Sequence, residues 1–235
     1  MDAVRRRPAL LAVGVAALAV FAACLHTVLP VLTEDVGTRG YRLDPPRSVG
    51  AFQEERRFGD TYVGRVRCGG MPSDSDCELV QTEVGGIGIT PSDARRIVVG
   101  ASGTGADYEA GEPGGEHSRY LVFRGLQGNV PDPDAALRAM FRSIDRGEQS
   151  PFQSSGEKWD GPPRPVRLDG YEGAVMRCRG GEDTYQDVHG TVITRPVAMC
   201  VWADHSTVAA TALDTSVQEL RRLTTELYRT ARVKK

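Results

Sequence analysis

The stretch V-A-M-C-V-W-A-D-H-S-T-V-A-A-T-A-L, residues 197–213, decides the fold. Read with period two, Ala198, Cys200 and Trp202 share one face of a strand. Pro196 just before it has no N–H to give a ladder, so the strand is expected to begin at Val197. Asp204-His205 makes a tight turn, and residues 206–213 are small or β-branched, the composition of a return strand. The two strands therefore read as a β-hairpin.

Working outward from the hairpin gives more of the same. In residues 171–179, Ala174, Met176 and Cys178 fall on one face, and Val175, Arg177 and Arg179 on the other. After the hairpin, Ser216 and Glu219 form a capping box. Val217, Leu220, Leu223, Leu227, Tyr228 and Ala231 then line one side of a closing helix, with Arg221, Arg222, Glu226 and Arg229 covering the other. Arg232, Lys234 and Lys235 complement the negative end of its dipole.

Upstream, Asp132-Pro133 supplies a capping side chain before a proline at the first helical position. Ala136, Leu137, Met140, Phe141 and Ile144 follow at helical spacing as far as Gly147. Residues 120–125 (YLVFRG) predict a strand, as do 61–67, 79–89 and 96–101. Residues 51–57 predict a short helix. The Gly-rich run 102–117 and the polar, Pro-rich run 147–166 read as loops, with Trp159 folding back over the core. Strands, helix, strands, helix, with few strand–helix–strand alternations, predict an α+β fold: an antiparallel sheet with helices packed on one face.

Residues 8–32 contain no Asp, Glu, Lys or Arg. About 23 helical residues span roughly 34 Å, enough for a bilayer core of about 30 Å. Arg5, Arg6 and Arg7 precede the run, and Glu34 and Asp35 follow it, which places the N-terminus in the cytoplasm and the rest outside. The organisation expected is a tail at 1–8, one transmembrane helix at 9–32, a juxtamembrane linker at 33–60 and an extracytoplasmic domain at 61–235. Two processing alternatives stand beside the uncleaved anchor. Ala17-Leu18-Ala19 resembles a signal-peptide cleavage site, and Phe21-Ala22-Ala23-Cys24 resembles a lipobox that would make Cys24 a lipid anchor. An apolar stretch continues past either site.

Setting aside the first 32 residues leaves 26 Lys+Arg against 30 Asp+Glu, a net charge of −4. That balance gives no nucleic-acid footprint. Outside the membrane segment lie Cys68, Cys77, Cys178 and Cys200, an even number in an oxidising compartment. Three pairings are possible. Proximity favours Cys68–Cys77 and Cys178–Cys200. A Cys₄ zinc site or a redox dithiol would want a C-x₂-C, and none occurs.

Several stretches carry a resemblance: Tyr41-Arg42-Leu43 with Pro46 and Val49; residues 123–128 (FRGLQG) with 131–134 (PDPD); residues 173–178 (GAVMRC); and, most distinctive, the Cys200-Val201-Trp202-Ala203-Asp204 hairpin with His205 to Val208. From about Tyr41 onward the chain resembles a group of uncharacterised actinomycete membrane-anchored or secreted proteins. The resemblance implies a shared topology and fold, supports Cys178–Cys200 as a strand-to-strand bridge, and carries over no catalytic residue. The Cys68–Cys77 loop departs from the shared pattern.

Asp204-His205-Ser206 holds three triad residue types side by side. Consecutive residues at a turn point in different directions, whereas a triad is assembled in space, so the expected role is a capped turn. No G-x-S-x-G occurs. His117, His189 and His205 lack the spacing of metal-ligand pairs. Glu182, Asp183 and Asp187 do not match a calcium loop. The run 100–105 (GASGTG) lacks the G-K-[ST] of a phosphate loop and reads as a turn. Trp202, on the face of Cys200, is expected in the core.

No catalytic residue, metal or cofactor is therefore expected. Asp204, His205, Trp202 and His189 remain the residues to locate. The expected function is a membrane-tethered, non-catalytic interaction or sensing domain, its partners the membrane and another envelope protein. The alternatives are an extracytoplasmic hydrolase using His205 or His189, and an envelope lipoprotein anchored at Cys24.

Overall fold

A computed structural model describes residues 36–59, 62–68, 77–83, 91–112, 118–146, 156–168, 171, 173–186 and 190–235. The segment expected to cross the membrane, with Cys24, His117, Asp187 and His189, lies outside the described residues. The chain divides after Gly37, and Thr38–Lys235 forms one compact unit that holds every described strand and α-helix.

In chain order its elements are β1 (Tyr41–Leu43), β2 (Ser48–Val49), β3 (Phe52–Phe58), β4 (Tyr62–Cys68), β5 (Cys77–Glu83), α1 (Pro91–Ile97), β6 (Val99–Ala110), β7 (Arg119–Asn129), α2 (Pro133–Arg146), β8 (Glu157–Trp159), β9 (Arg164–Val166), β10 (Val175–Gln186), β11 (Val192–Ala203), β12 (Thr207–Leu213), α3 (Val217–Thr230) and β13 (Arg232–Lys234). One antiparallel sheet dominates, in the order β2-β3-β6-β7-β12-β11-β10-β8, with β9 also paired to β10. Two small antiparallel pairs stand apart: β1 with β13, and the hairpin β4–β5.

The fold class is α+β with an antiparallel sheet, as the hairpin predicts, but the helices lie on both faces rather than one. Period two divides the strand residues between two cores. Cys178, Cys200, Trp202 and Phe123 point to the face covered by Leu220, Leu223, Leu227 and Tyr228 of α3. Leu126, Met199, Val201 and Ala210 point to the other, covered by Leu137, Met140 and Ile144 of α2 and by Ala94 and Ile97 of α1. The sheet is therefore buried on two sides, which is why β12 reads as an almost unbroken run of small apolar residues.

Other departures have local causes. Residues 41–58, expected as linker, are built in as β1, β2 and β3. The segment expected as a short helix is β3, an extended strand whose Phe52 and Phe58 are buried and whose ladder runs along β6. Within 96–101 the helix α1 ends at Ile97 and the strand starts only at Val99. Thr90-Pro91 and the first-turn Asp93 are the sequence signals for that helix. The Gly-rich run beginning at 102 is strand β6, not loop, through Ala110. It is paired on both sides, by β3 and β7, and Ala106 and Tyr108 are fully buried. Two strands, β8 and β9, occupy the expected loop at 147–166, and the indole of Trp159 packs against the α2 core.

Strand β11 begins at Val192 and runs through Pro196. β12 pairs with β11 only from Ala198 onward, so at Pro196 the strand has a partner on one side alone, and the missing N–H can face the open side. Arg232 and Lys234, expected as cations answering the helix dipole, belong instead to β13. Arg232 is buried, and only Lys234 and Lys235 are exposed.

Candidate functional site

The turn 204–206 at the tip of the β11–β12 hairpin is buried throughout: Asp204 is fully buried, and Ser206 and His205 nearly so. Each triad residue type has a separate task. The Asp204 Oδ1 accepts hydrogen bonds from the backbone N–H of Ser206 and of Thr207, both at 2.8 Å. Its Oδ2 accepts from the Thr207 hydroxyl at 3.0 Å and from the Tyr228 hydroxyl at 3.3 Å. The His205 ring turns to the end of β7, with Nδ1 3.1 Å from the Val130 carbonyl oxygen. The Ser206 Oγ accepts from the Tyr41 N–H of β1 at 3.3 Å.

The same carboxylate carries a buried ion pair. Arg232 Nε of β13 stands 2.7 Å from Asp204 Oδ2, with both side chains almost wholly enclosed. Three tyrosine rings surround the guanidinium, their centroids 4.1 Å (Tyr41), 4.3 Å (Tyr228) and 5.8 Å (Tyr171) from its carbon. Its Nε and Nη2 make no hydrogen bond among the described residues, so charge and ring faces hold it. Burial pushes the Asp204 carboxyl above its ordinary range, opposed by Arg232 and by the N–H and hydroxyl donors of the turn. Burial, and then the Asp204 charge, push the Tyr228 phenol up.

Trp202 completes the cluster from the sheet side. It is fully buried, stacks on Phe123 at 5.7 Å, and meets Tyr228 edge-on at 5.7 Å. Its indole N–H donates to the Thr207 hydroxyl at 3.4 Å. Two rungs along, Cys178 and Cys200 face each other in the β10–β11 ladder and are joined, with Cα atoms 4.1 Å apart. The tryptophan and the bridge do share a face, as expected. Cys68 and Cys77 are opposed in the β4–β5 ladder; their side chains lie outside the described residues.

Of the acidic residues considered for calcium, Asp187 lies outside the described residues. Asp183 is bound by Arg195 at 3.2 Å, and among the described residues no group of three or more His, Cys, Asp or Glu could hold a metal ion. The run 100–105 is part of β6 and forms no phosphate loop.

The concave surface lies elsewhere, against α3. Gly180 of β10 brings the helix down, since a Cβ there would stand 2.7 Å from Val217. Beside it, β9 hangs on β10 through Met176↔Val166 and Cys178↔Arg164. Between β9 and α3 run two hollows, of about 330 Å³ and 660 Å³, which share Val166, Val217 and Arg221 and so form one groove. Arg164, Arg167, Arg221, Arg222 and Arg229 line it and are exposed, against Asp160 and Glu226. Glu226 stands 3.7 Å from Arg222 and accepts from the Gly50 N–H. Arg164, Arg221 and Arg229 make no ion pair among the described residues. A larger hollow of about 830 Å³ beside β3 has the opposite balance: Asp44, Glu54 and Glu55 line it with Arg47 and Arg57, and Arg57 is held by Asp44 and Glu54.

In the sequence the α3 arginines read as a solvated helix face, and Arg164 falls in an expected loop with Arg167 just beyond it. One signal is present: Arg221 has no carboxylate three or four residues away on either side, where one would have neutralised it. Comparison with known protein families, with curated proteins and with solved structures finds no match.

Proposed function

We propose that this chain is a membrane-tethered, single-pass protein whose folded unit is a non-catalytic interaction domain on the outer face of the cell membrane. The apolar, uncharged run 9–32, bracketed by Arg5–Arg7 and by Glu34 and Asp35, supports the anchor and its orientation. Among the described residues no helix is long and apolar enough to cross a membrane, and the run itself lies outside them. A cysteine pair bridged across strands suits an oxidising compartment. The resemblance carried by the Cys-x-Trp-Ala-Asp hairpin points the same way.

The observation that carries the interaction reading is the groove. Three exposed arginines with no carboxylate partner among the described residues line a concave surface, whose walls are fixed by a β-ladder and a close-packed helix. The hydrolase reading loses its best residues, since Asp204, His205 and Ser206 serve three different elements inside the fold. A general base must reach its nucleophile and its substrate; the His205 ring stands at the Val130 carbonyl, and the other candidate base, His189, lies outside the described residues.

The test is photo-crosslinking in intact cells, with a photoreactive amino acid at Gln218, exposed in the groove, or at Arg95, exposed on α1. Adducts from position 218 and none from 95 are expected. Equal adducts from both, or none from 218, would contradict the reading.

A further inference from the structure

We infer that the groove between β9 and α3 binds the phosphate groups of a linear, base-free anionic polymer. The inference rests on the interaction reading and names its ligand.

The charge is local. The whole chain has a net charge of −2, yet this groove presents five exposed arginines against two carboxylates, one of them already engaged. Three of the arginines have no ion-pair partner among the described residues, so an incoming anion meets charge that no carboxylate has to release.

The spacing asks for a chain. Arg221 and Arg229 lie eight residues apart on one side of α3, about 12 Å at the helical rise. Arg164 reaches the same groove from β9. A single small anion would engage one end and leave the other bare, whereas a flexible polyanion occupies both. Multiple weak contacts along a tethered chain add by effective concentration.

The residue type selects the anion. Every cation of the groove is arginine, whose planar fork suits carboxylate and phosphate alike. Arg164 and Arg221 come from different elements to line one hollow. The acceptor directions of a carboxylate lie close to one plane, whereas the two free oxygens of a tetrahedral chain phosphate accept from donors out of any one plane, which suits forks that reach in from two elements. Val166, Val217 and Pro165 between them give an apolar floor for the uncharged links of the polymer.

The groove also disfavours nucleic acid. Single strands are held by stacking bases on aromatic rings, and among the described residues no Phe, Trp or Tyr lines either hollow.

The test uses the full-length chain in phosphatidylcholine nanodiscs and fluorescein-labelled inorganic polyphosphate, read by fluorescence anisotropy. Saturable binding that weakens with salt is expected. Arg221→Glu with Arg229→Glu should weaken it at least tenfold, and Arg95→Glu should leave it unchanged; circular dichroism melts confirm that these exposed substitutions leave the fold intact. Poly-glutamate or single-stranded DNA binding as tightly as polyphosphate would overturn the choice of phosphate. Binding to phosphatidylglycerol nanodiscs without polyphosphate binding would assign the groove to lipid headgroups and overturn the polymer. No polyphosphate binding with crosslinking from position 218 intact would sink this inference alone. Loss of both would sink the interaction reading with it.

Discussion

Asp204 joins parts of the chain that the sequence keeps apart: the hairpin turn, the α3 helix through Tyr228, and β13 through Arg232. Removing one partner of a buried ion pair strands the other charge, at a cost of about 3–5 kcal/mol. Asp204→Ala and Arg232→Ala should each lower the stability of the chain by that much in urea unfolding, and the double substitution by clearly less than the sum. Additive losses would show that the two groups do not act as a pair. The aspartate stands out in the sequence for its neighbours in the turn. Its ionic partner is not legible there, because Arg232 follows a helix whose dipole gives it a ready explanation, and only the β1–β13 ladder turns it inward.

Two phenols make a pH prediction at the same scale. Tyr108 and Tyr228 are fully buried, and burial raises both above the ordinary phenol value. The unfolded chain therefore releases these protons near pH ~10, while the folded chain keeps them to higher pH. Their contribution to stability is full below pH ~10 and is lost as the pH climbs toward the folded values, by about 1.4 kcal/mol per pH unit for each phenol. In Tyr108→Phe, the fall in unfolding free energy between about pH 9 and pH 11 should be shallower than in the parent by about 1.4 kcal/mol. Equal falls would contradict the assignment.

At the scale of elements, the contrast between β6 and β11 shows what sequence can reveal. The β11–β12 hairpin, its turn and the Cys200–Trp202 face are all readable, since alternation and a turn signal are local properties. The α2 and α3 helices are readable for the same reason, by cap and period: Asp132 Oδ1 accepts from the Ala135 N–H, and Ser216 Oγ from the Glu219 N–H. β6 is not readable. Its Gly, Ser and Thr mimic a loop, and it is a strand because β3 and β7 pair with it on both sides, a non-local fact. The two-faced packing of helices is hidden likewise, since from Val197 onward no polar residue marks either face of β11 as solvated: Met199 and Val201 are as apolar as Cys200 and Trp202.

The groove depends on one close approach between elements. In Gly180→Val, the added side chain would meet Val217 and lift the first turn of α3 from β10. Overpacking of this kind costs about 1–3 kcal/mol. The expected outcome is a lower melting temperature together with weakened polyphosphate binding, although no groove arginine is touched. Unchanged binding would show that the α3 wall of the groove does not need that contact.

The whole molecule combines a sheet buried on both faces, a bridge between two of its neighbouring strands and a charged groove with an apolar, uncharged run at 9–32. The fold class and the Cys178–Cys200 bridge are legible in the sequence. The groove is not, because it is made by two elements that only β10 brings together. In the reading proposed above, an uncleaved anchor holds this domain at the outer face. Intact mass of the membrane-extracted protein, with and without reduction before alkylation, tests it most directly. The predicted result is a full-length mass, with Cys68, Cys77, Cys178 and Cys200 protected from alkylation until reduction. A chain beginning at a lipidated Cys24 or after Ala19, or four thiols free without reduction, would contradict it.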